Sequence, residues 1–283
     1  MMLLFKTMIR TFHSFDSGKA AVETTQLTPQ EFARFQSYIY KLCGISVPDN
    51  KITLLSNRIR RRLRATKTPD YESYYKFLTS PAGKEEVEGF LSAVTTNETS
   101  FFRTDKHFEW LRTEFIEHLR EQERTGKKRK NVRIWSAACS TGEEPYTIAL
   151  CMAENLLKLA DWKIEILGTD ISEHAIEKAK TGVFSGNSVA EIPPQLLSRY
   201  FTQHSESNTW EAKPLLKKMV TVTRHNLMDR SPQSEIDCVF IRNVLIYFSR
   251  ESKKTVIEHL VHAMAPGAYL VVGPSEGIFD MLN

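Results

Sequence analysis

The chain has 283 residues, 41% of them hydrophobic and 25% charged, a composition typical of a globular protein with room for two domains. No apolar run approaches the roughly 18 residues that span a bilayer, so no membrane-inserted segment is predicted. The four cysteines are scattered and form no C-x-x-C pair, which argues against a zinc site and predicts a cytoplasmic protein with reduced thiols.

The formal net charge is only +4, and the basic residues are concentrated in two clusters. One cluster lies between residues 58 and 67, and the other between residues 127 and 130. Such clusters attract acidic protein surfaces or nucleic acids. The second lies in a glycine-containing connector, where solvated surface charge is the simplest interpretation.

Residues 1–26 are predicted to form a flexible arm, and residues 27–95 a small all-helical domain. The tetrapeptide that begins at Thr28 has a cap residue, a proline and an early acid, which is typical of a helix N-terminus, and Gly44 ends this helix. The arginines of the second helix fall mainly on faces away from its apolar stripe. Apolar spacing predicts the further helices near residues 52–63, 71–78 and 85–94.

Strand and helix patterns alternate through residues 96–283, which predicts one α/β domain with a doubly wound, mostly parallel sheet. The alternation is interrupted at about residues 185–219. An unstructured loop of that length is improbable in a compact domain, so a small inserted subdomain is predicted. The predicted strands are residues 132–137, 163–169, 220–224, 238–242 and 268–272, and the predicted helices are residues 108–119, 145–159, 172–180 and the segment after Ser249.

Polar side chains follow the predicted strands, at the edge of an open parallel sheet where ligands bind. After the first strand, residues 137–146 include small residues that let the backbone approach a ligand closely. Glu143 and Glu144 begin the next helix, where a carboxylate could receive an ammonium group or hydroxyls. Asp170 ends the second strand, a common place for an acceptor of ribose hydroxyls. The later strands end in Asn226-Leu227 and Arg242-Asn243.

The turn after the first strand contains a single glycine and no G-x-G-x-x-G fingerprint, which argues against a nicotinamide dinucleotide. A nucleoside cofactor with a positive centre and no phosphate fits better. S-adenosylmethionine (SAM) has this chemistry, so the sequence predicts a SAM-dependent methyltransferase.

Three longer motifs resemble those of the CheR chemotaxis receptor methyltransferases, and the resemblance runs from about Thr28 to Glu276. The motifs are residues 95–103, 135–146 and 242–248. The resemblance implies a class I, Rossmann-like methyltransferase fold and transfer of methyl from SAM to glutamate side chains on the cytoplasmic helices of chemoreceptors. Ser275-Glu276-Gly277 departs from the common Ser-Glu-Asn of the family.

The same resemblance assigns roles to individual residues. Arg103 and Tyr247 would lie nearest the transferring methyl, and no metal is expected. The helical domain and the inserted subdomain would recognise the receptor, with Arg58, Arg61 and Arg62 steering an acidic helix. The cofactor contacts would be Asn97, Thr99, Arg103, Glu144, Asp170, Asn226, Leu227, Arg242 and Asn243.

This reaction fits the residue types present. A glutamate carboxylate has a pKa of about 4.3 and is ionised at neutral pH, so it needs no general base. The sulfonium leaves as a neutral thioether, so no general acid is needed. Catalysis then depends on orientation, which Arg103 and Tyr247 could supply. The histidines have no metal-ligand spacing.

Two alternatives remain open from the sequence. A nucleic-acid methyltransferase is suggested by the arginine helix, but neither an Asn/Asp-Pro-Pro-Tyr motif nor a Pro-Cys nucleophile occurs. A catalytically inactive SAM-binding regulatory protein is the other, and the presence of Arg103 and Tyr247 argues against it. The expected partners are chemoreceptors, with no nucleic acid and no membrane insertion, and the enzyme is expected to be a monomer.

Overall fold

The computed structural model describes residues 26–155, 159, 161–231, 233–278 and 281. Residues 1–25 of the predicted arm lie outside this part of the chain. Among the described residues, no helix combines the length and the hydropathy that crossing a bilayer requires.

Four helices form the predicted N-terminal helical unit around a core that includes Phe35, Ile59 and Phe90. The first helix begins with a complete capping box at Thr28 and ends at Gly44, whose φ of 72° suits glycine. The second helix buries its apolar stripe, as its spacing predicts. The helices are α1 (Pro29–Cys43), α2 (Ile52–Thr66), α3 (Tyr71–Leu78) and α4 (Glu86–Val94).

A longer helical stretch leads from this unit to the sheet. The sequence predicts one helix at residues 108–119, and the structure has α5 (Asp105–Trp110), a π-helical turn (Leu111–Phe115) and α6 (Ile116–Arg124) in succession. Its buried side chains, such as Phe108 and Phe115, pack on the sheet.

A five-stranded parallel sheet forms the centre of the second unit, in the order β6-β2-β1-β7-β8. With the helices on both faces, this confirms the predicted doubly wound fold. The strands are β1 (Asn131–Ala137), β2 (Lys163–Asp170), β3 (Val183–Ser185), β4 (Phe201–His204), β5 (Thr209–Ala212), β6 (Val220–Arg224), β7 (Ile236–Ile241) and β8 (Met264–Val272).

Side chains of β1 alternate between two cores. Val132 and Ile134 point into the core that contains α5, α6 and α7 (Glu143–Ala153). Trp135 and Ala137 point into the opposite core, beneath α11 (Arg250–Ala263). Burial on both faces explains why β1 has no polar side.

Some predicted bounds are wrong. The helix predicted at residues 145–159 is α7, which ends at Ala153, where the Asn155 side chain caps the last turn by donating to the Cys151 carbonyl at 3.0 Å. β7 stops at Ile241, so Arg242 belongs to the following loop. β8 begins at Met264 because it pairs with the start of β7 there, earlier than predicted.

The interruption in the alternation is a small antiparallel sheet in the order β3-β5-β4, as predicted for an inserted subdomain. It begins slightly before residue 185. Its helices are α9 (Pro194–Tyr200) and α10 (Pro214–Met219), and α8 (Glu173–Thr181) precedes it.

The helical unit contacts the α/β unit at two places. Ile45 forms an isolated β-bridge with Phe248, and the Ser92 and Ser172 hydroxyls lie 3.1 Å apart.

Candidate active site

A cleft opens at the carboxyl ends of the parallel strands, where small-molecule ligands bind in open α/β sheets. Every residue predicted to contact a cofactor lines it, and so does Tyr247. Asp170, Asn226 and Arg242 meet here because they lie at strand ends, whereas Asn97, Thr99, Arg103 and Tyr247 come from segments that only the family resemblance pointed to. The roles assigned to all of them stay predictions.

The backbone around this cleft is unusually strained. Phe102, Thr104, Ala138, Ser140 and Asn243 have φ values between 51° and 64°, in the left-handed region that non-glycine residues rarely adopt. Such conformations persist only where the surroundings hold them, and they cluster at functional sites.

Asp170 uses both carboxylate oxygens to organise two loops. Oδ2 accepts from the Ser140 N–H at 2.9 Å, and Oδ1 accepts from the Ser172 N–H at 2.9 Å. Burial raises the pKa of the Asp170 carboxyl, and these backbone donors oppose the rise by stabilising the charged form. Each oxygen keeps lone-pair capacity for a ligand hydroxyl.

Glu144 and Arg242 form a buried ion pair under the cleft. The Arg242 Nη1 donates to Glu144 Oε2 at 2.8 Å, and the two side chains are only 2% and 12% exposed. Glu144 Oε1 accepts from the Ser136 hydroxyl at 2.7 Å, and Arg242 Nη2 donates to the Arg103 carbonyl. Burial raises the pKa of the Glu144 carboxyl, and Arg242 opposes that rise. One ion pair thus joins β1, α7 and the loop after β7.

The position of two adjacent acids at the start of α7 does not separate Glu143 from Glu144, and only the family resemblance assigns the cofactor contact to Glu144. In the structure the two side chains have different surroundings. Glu143 turns away from the cleft and accepts from the hydroxyls of Thr141 at 2.6 Å and Ser188 at 2.7 Å. Glu143 therefore ties the turn after β1 to the inserted subdomain, while Glu144 lines the cleft.

Residues 97–103 are anchored at both ends. The Asn97 carbonyl accepts from the Ser140 hydroxyl at 2.8 Å, and its side chain donates to Ser172 Oγ at 3.4 Å. Phe101 is fully buried among aromatic rings of the inserted subdomain, 4.9 Å from the Phe184 ring centroid. Arg103 donates from Nη1 to the Glu98 carbonyl at 2.9 Å. These contacts fix residues 97–103 and place Thr99 and Arg103 in the lining of the cleft.

Asn226 joins the cleft to the helical unit. Its Nδ2 donates to the Leu42 carbonyl at 2.8 Å, and its Oδ1 accepts from the Met228 N–H at 3.1 Å. The following Leu227 is buried. These two hydrogen bonds fix the orientation of the Asn226 amide, which keeps one N–H and one lone pair for a ligand.

Tyr247 lies at the mouth of the cleft and is 37% exposed. Its carbonyl accepts from the Ser46 N–H at 2.8 Å, so the helical unit holds its backbone. Cys43 and Ile45 also line the cleft. These contributions could not be predicted from the sequence, because no local pattern connects Cys43, Ile45 and Ser46 to residues about 200 positions away.

The three arginines predicted to bind substrate lie on α2 and do not line the cleft. Arg58 donates to the last carbonyl of α4 and to Thr96 Oγ1 at 2.9 Å. Arg62 makes two hydrogen bonds to Glu86, at 2.8 and 2.6 Å. Arg61 is exposed. Two of the three side chains thus hold the helical unit together, and substrate binding stays a prediction for all three.

The donor set suits a charged nucleoside better than a metal. In the part of the chain that the structure describes, no cluster of histidine, cysteine, aspartate and glutamate side chains could hold a metal ion. The cleft instead offers the Asp170 carboxylate for hydroxyls and the Glu144–Arg242 pair for a zwitterionic group. These residues fit SAM.

Comparison with known families identifies the chain. Residues 97–283 match the family described as CheR methyltransferase, SAM binding domain, and residues 30–95 match CheR methyltransferase, all-alpha domain. The chain belongs to the CheR methyltransferase family. It is therefore a SAM-dependent methyltransferase, and the family predicted from the three motifs is confirmed.

CheR relatives match over nearly their whole length. The chain is 32% identical to chemotaxis protein methyltransferase 2 of Vibrio cholerae over 89% of this chain and 87% of that protein. It is 32% identical to the chemotaxis protein methyltransferase of Salmonella typhimurium, over 95% and 93%. The Escherichia coli chemotaxis protein methyltransferase is 32% identical, over 90% and 86%.

Proposed function

We propose that this CheR methyltransferase transfers the methyl group of SAM to glutamate side-chain carboxylates of chemoreceptors, which forms glutamyl methyl esters and S-adenosylhomocysteine. The observation that carries the proposal is the convergence of Arg103 and Tyr247 on the cleft that also contains Asp170 and the Glu144–Arg242 pair. The names of the relatives, all chemotaxis protein methyltransferases, support it.

In this proposal the buried groups hold the cofactor. Asp170, with two backbone donors already in place, accepts from the ribose hydroxyls. The Glu144–Arg242 pair and Asn97 hold the amino-acid end, and Asn226 and Leu227 line the opposite wall. Thr99 and Asn243 complete the predicted set. When bound, SAM supplies an electrophilic methyl group on a sulfonium.

Arg103 and Tyr247 act on the acceptor. The planar guanidinium of Arg103 orients a carboxylate through two parallel donors. Tyr247 presents its ring and hydroxyl to the positive charge next to the transferring carbon. The acceptor is already ionised, so the chain moves no proton and its contribution is alignment, worth up to about 7–11 kcal/mol in well-oriented systems.

The exposed surface of α2 serves the acceptor protein. Arg61 and its neighbours Arg64 and Lys67 are exposed and carry no acidic partner on the same helix. Their field raises the association rate of an acidic receptor helix. The proposal includes a cytoplasmic, monomeric enzyme that binds neither nucleic acid nor membrane.

The test is incubation of the protein with methyl-labelled SAM and a receptor cytoplasmic fragment. We expect label on the fragment that mild base releases as methanol. A fragment with its candidate glutamates replaced by alanine is the control and should remain unlabelled. Alkali-stable label on RNA or DNA would contradict the proposal, and SAM binding without transfer to any acceptor would favour a regulatory protein.

A further inference from the structure

A buried carboxylate lies behind the loop that carries Asn243 and Tyr247. Glu276 is 1% exposed, and its Oε1 accepts from the Asn243 N–H. Burial raises the pKa of the Glu276 carboxyl, and the backbone donor at Asn243 opposes that rise. Glu276 Oε2 is buried and has no hydrogen-bond partner among the described residues, so the Asn243 N–H is the donor that holds this carboxylate.

The Asn243 N–H lies at the start of the loop that carries Tyr247. The loop leads into a short 3₁₀ turn (Leu245–Tyr247), and the first N–H groups of any helical turn lack intrahelical acceptors. Asn243 has a φ of 58°, so its conformation must be held from outside. An anionic acceptor satisfies both needs, because charge-assisted hydrogen bonds are about twice as strong as neutral ones.

The backbone at Gly273 packs closely against this carboxylate. A side chain on Gly273 would come within 2.8 Å of Glu276 Oε1 and 3.4 Å of the Asn243 nitrogen. On the other side, Lys253 of α11 donates to the Glu276 carbonyl at 2.8 Å. Glu276 does not line the cleft, so it acts on the site only through the loop.

We propose that Glu276 is a positioning residue for methyl transfer: its carboxylate accepts from the Asn243 N–H, holds the left-handed backbone of that residue and thereby positions the loop that carries Tyr247 at the mouth of the cleft. The inference rests on the proposed function in that it assumes that Tyr247 acts on the transferring methyl. Replacement by glutamine removes the negative charge that strengthens this hydrogen bond, while the shape of the side chain stays the same.

The matched control is Asp237, a carboxylate that is 12% exposed and is held by a cation and a backbone donor. It pairs with Lys128 at 2.6 Å and accepts from the Arg133 N–H at 2.9 Å, at the start of β7 and away from the cleft. Glu276→Gln and Asp237→Asn should both lower the melting temperature. Only Glu276→Gln should lower kcat for receptor-fragment methylation, by about 10- to 100-fold, since a small misplacement of a reacting group has effects of that order.

A double-mutant cycle with Tyr247→Phe distinguishes positioning from general destabilisation. If Glu276 acts through Tyr247, the double variant should be about as slow as the slower single variant, because residues that act as a unit are not additive. Independent, multiplied effects would overturn the proposal, as would an equal loss of kcat in Asp237→Asn.

Affinity for S-adenosylhomocysteine, measured by calorimetry, needs no methyl acceptor and shows whether the Asn243 side of the loop has moved. If the wild-type protein methylates no receptor fragment, the proposed function fails, whereas the calorimetric comparison still tests the loop.

Discussion

The floor and the mouth of the cleft are built in different ways. On the floor, Asp170 and the Glu144–Arg242 pair are buried, and their charged atoms are held by backbone donors or by each other. At the mouth, Tyr247 is 37% exposed, and the neighbouring Ile246, which does not line the cleft, is 43% exposed. A buried, fixed network suits a ligand that never varies, whereas exposed side chains suit a protein partner that arrives from solvent.

This difference predicts that floor substitutions affect folding and cofactor binding together, whereas mouth substitutions affect turnover or association alone. The largest effect should follow loss of the floor ion pair. Arg242→Ala leaves the Glu144 carboxylate buried without its cation, which costs about 3–5 kcal/mol in comparable pairs. We expect urea unfolding to show a loss of that size and calorimetry to detect no S-adenosylhomocysteine binding.

A double variant, Glu144→Leu with Arg242→Met, controls for the charge left unpaired. Replacement of both partners by apolar side chains should recover much of the stability, because no charge stays buried alone. Cofactor binding should remain absent. If Arg242→Ala costs less than about 1 kcal/mol, the pair behaves like a solvent-exposed salt bridge and the contrast between floor and mouth is wrong.

The second largest effect concerns Arg103, which lies between the two regions. Its side chain makes one hydrogen bond, to the Glu98 carbonyl, so Arg103→Ala should change the free energy of unfolding little. Single-turnover methylation should slow by about 100-fold, since the acceptor loses its orienting group. Arg103→Lys keeps the charge without the planar fork and should be intermediate. An unchanged rate in Arg103→Ala would remove this residue from the catalytic set.

Sequence reasoning was most successful where chain topology alone brings residues together. Asp170, Asn226 and Arg242 each follow a parallel strand, and strand ends meet at one edge of the sheet whatever the side chains do. The sequence could not indicate what each side chain is bonded to. The Glu144–Arg242 contact joins residues 98 positions apart, and it depends on the register of three strands.

The arginines of α2 show the same limit: the sequence does not indicate what each side chain is bonded to. Periodicity correctly placed Arg58, Arg61 and Arg62 off the apolar stripe of α2. It could not show that Glu86 and Thr96 lie within hydrogen-bonding distance of two of them. An amphipathic pattern separates buried from unburied faces, but it does not distinguish a face that meets solvent from one that meets a neighbouring helix.

A third prediction uses pH to compare the regions. Burial raises the pKa of Glu144, so acidification protonates it at a higher pH than an exposed glutamate. The ion pair needs the charged form of Glu144. The affinity for S-adenosylhomocysteine should therefore decrease as the pH drops below this raised pKa, by up to about tenfold per pH unit. The linked effect on folding has the opposite sign: the folded state binds this proton more tightly than the unfolded chain, so the contribution of Glu144 to stability increases as pH falls.

Glu144→Gln provides the control for this titration. Its affinity should be low and nearly independent of pH in the range where the wild type changes, as measured by calorimetry from neutral pH down to the lowest pH at which the protein stays folded. A wild-type affinity that stays flat over that range would mean that Glu144 is not the group that links protonation to cofactor binding.

The smallest effect should come from the outermost charge. Arg61 is exposed and lies on α2, outside the cleft, so Arg61→Ala should leave kcat and stability unchanged. It should lower kcat/KM for an acidic receptor fragment by only about two- to threefold at low salt, because a single surface charge contributes mainly to the association rate.

Arg124→Ala is the matched control: it removes one exposed positive charge from α6, where Arg124 pairs with Glu121 at 2.7 Å. Since surface fields are screened within about 10 Å at 0.1 M salt, the Arg61 effect should vanish as salt is raised. An equal loss of kcat/KM in Arg124→Ala would show that the net charge of the protein matters and the α2 face does not. A loss of kcat/KM in Arg61→Ala that persists at high salt would mean that Arg61 contacts the acceptor directly.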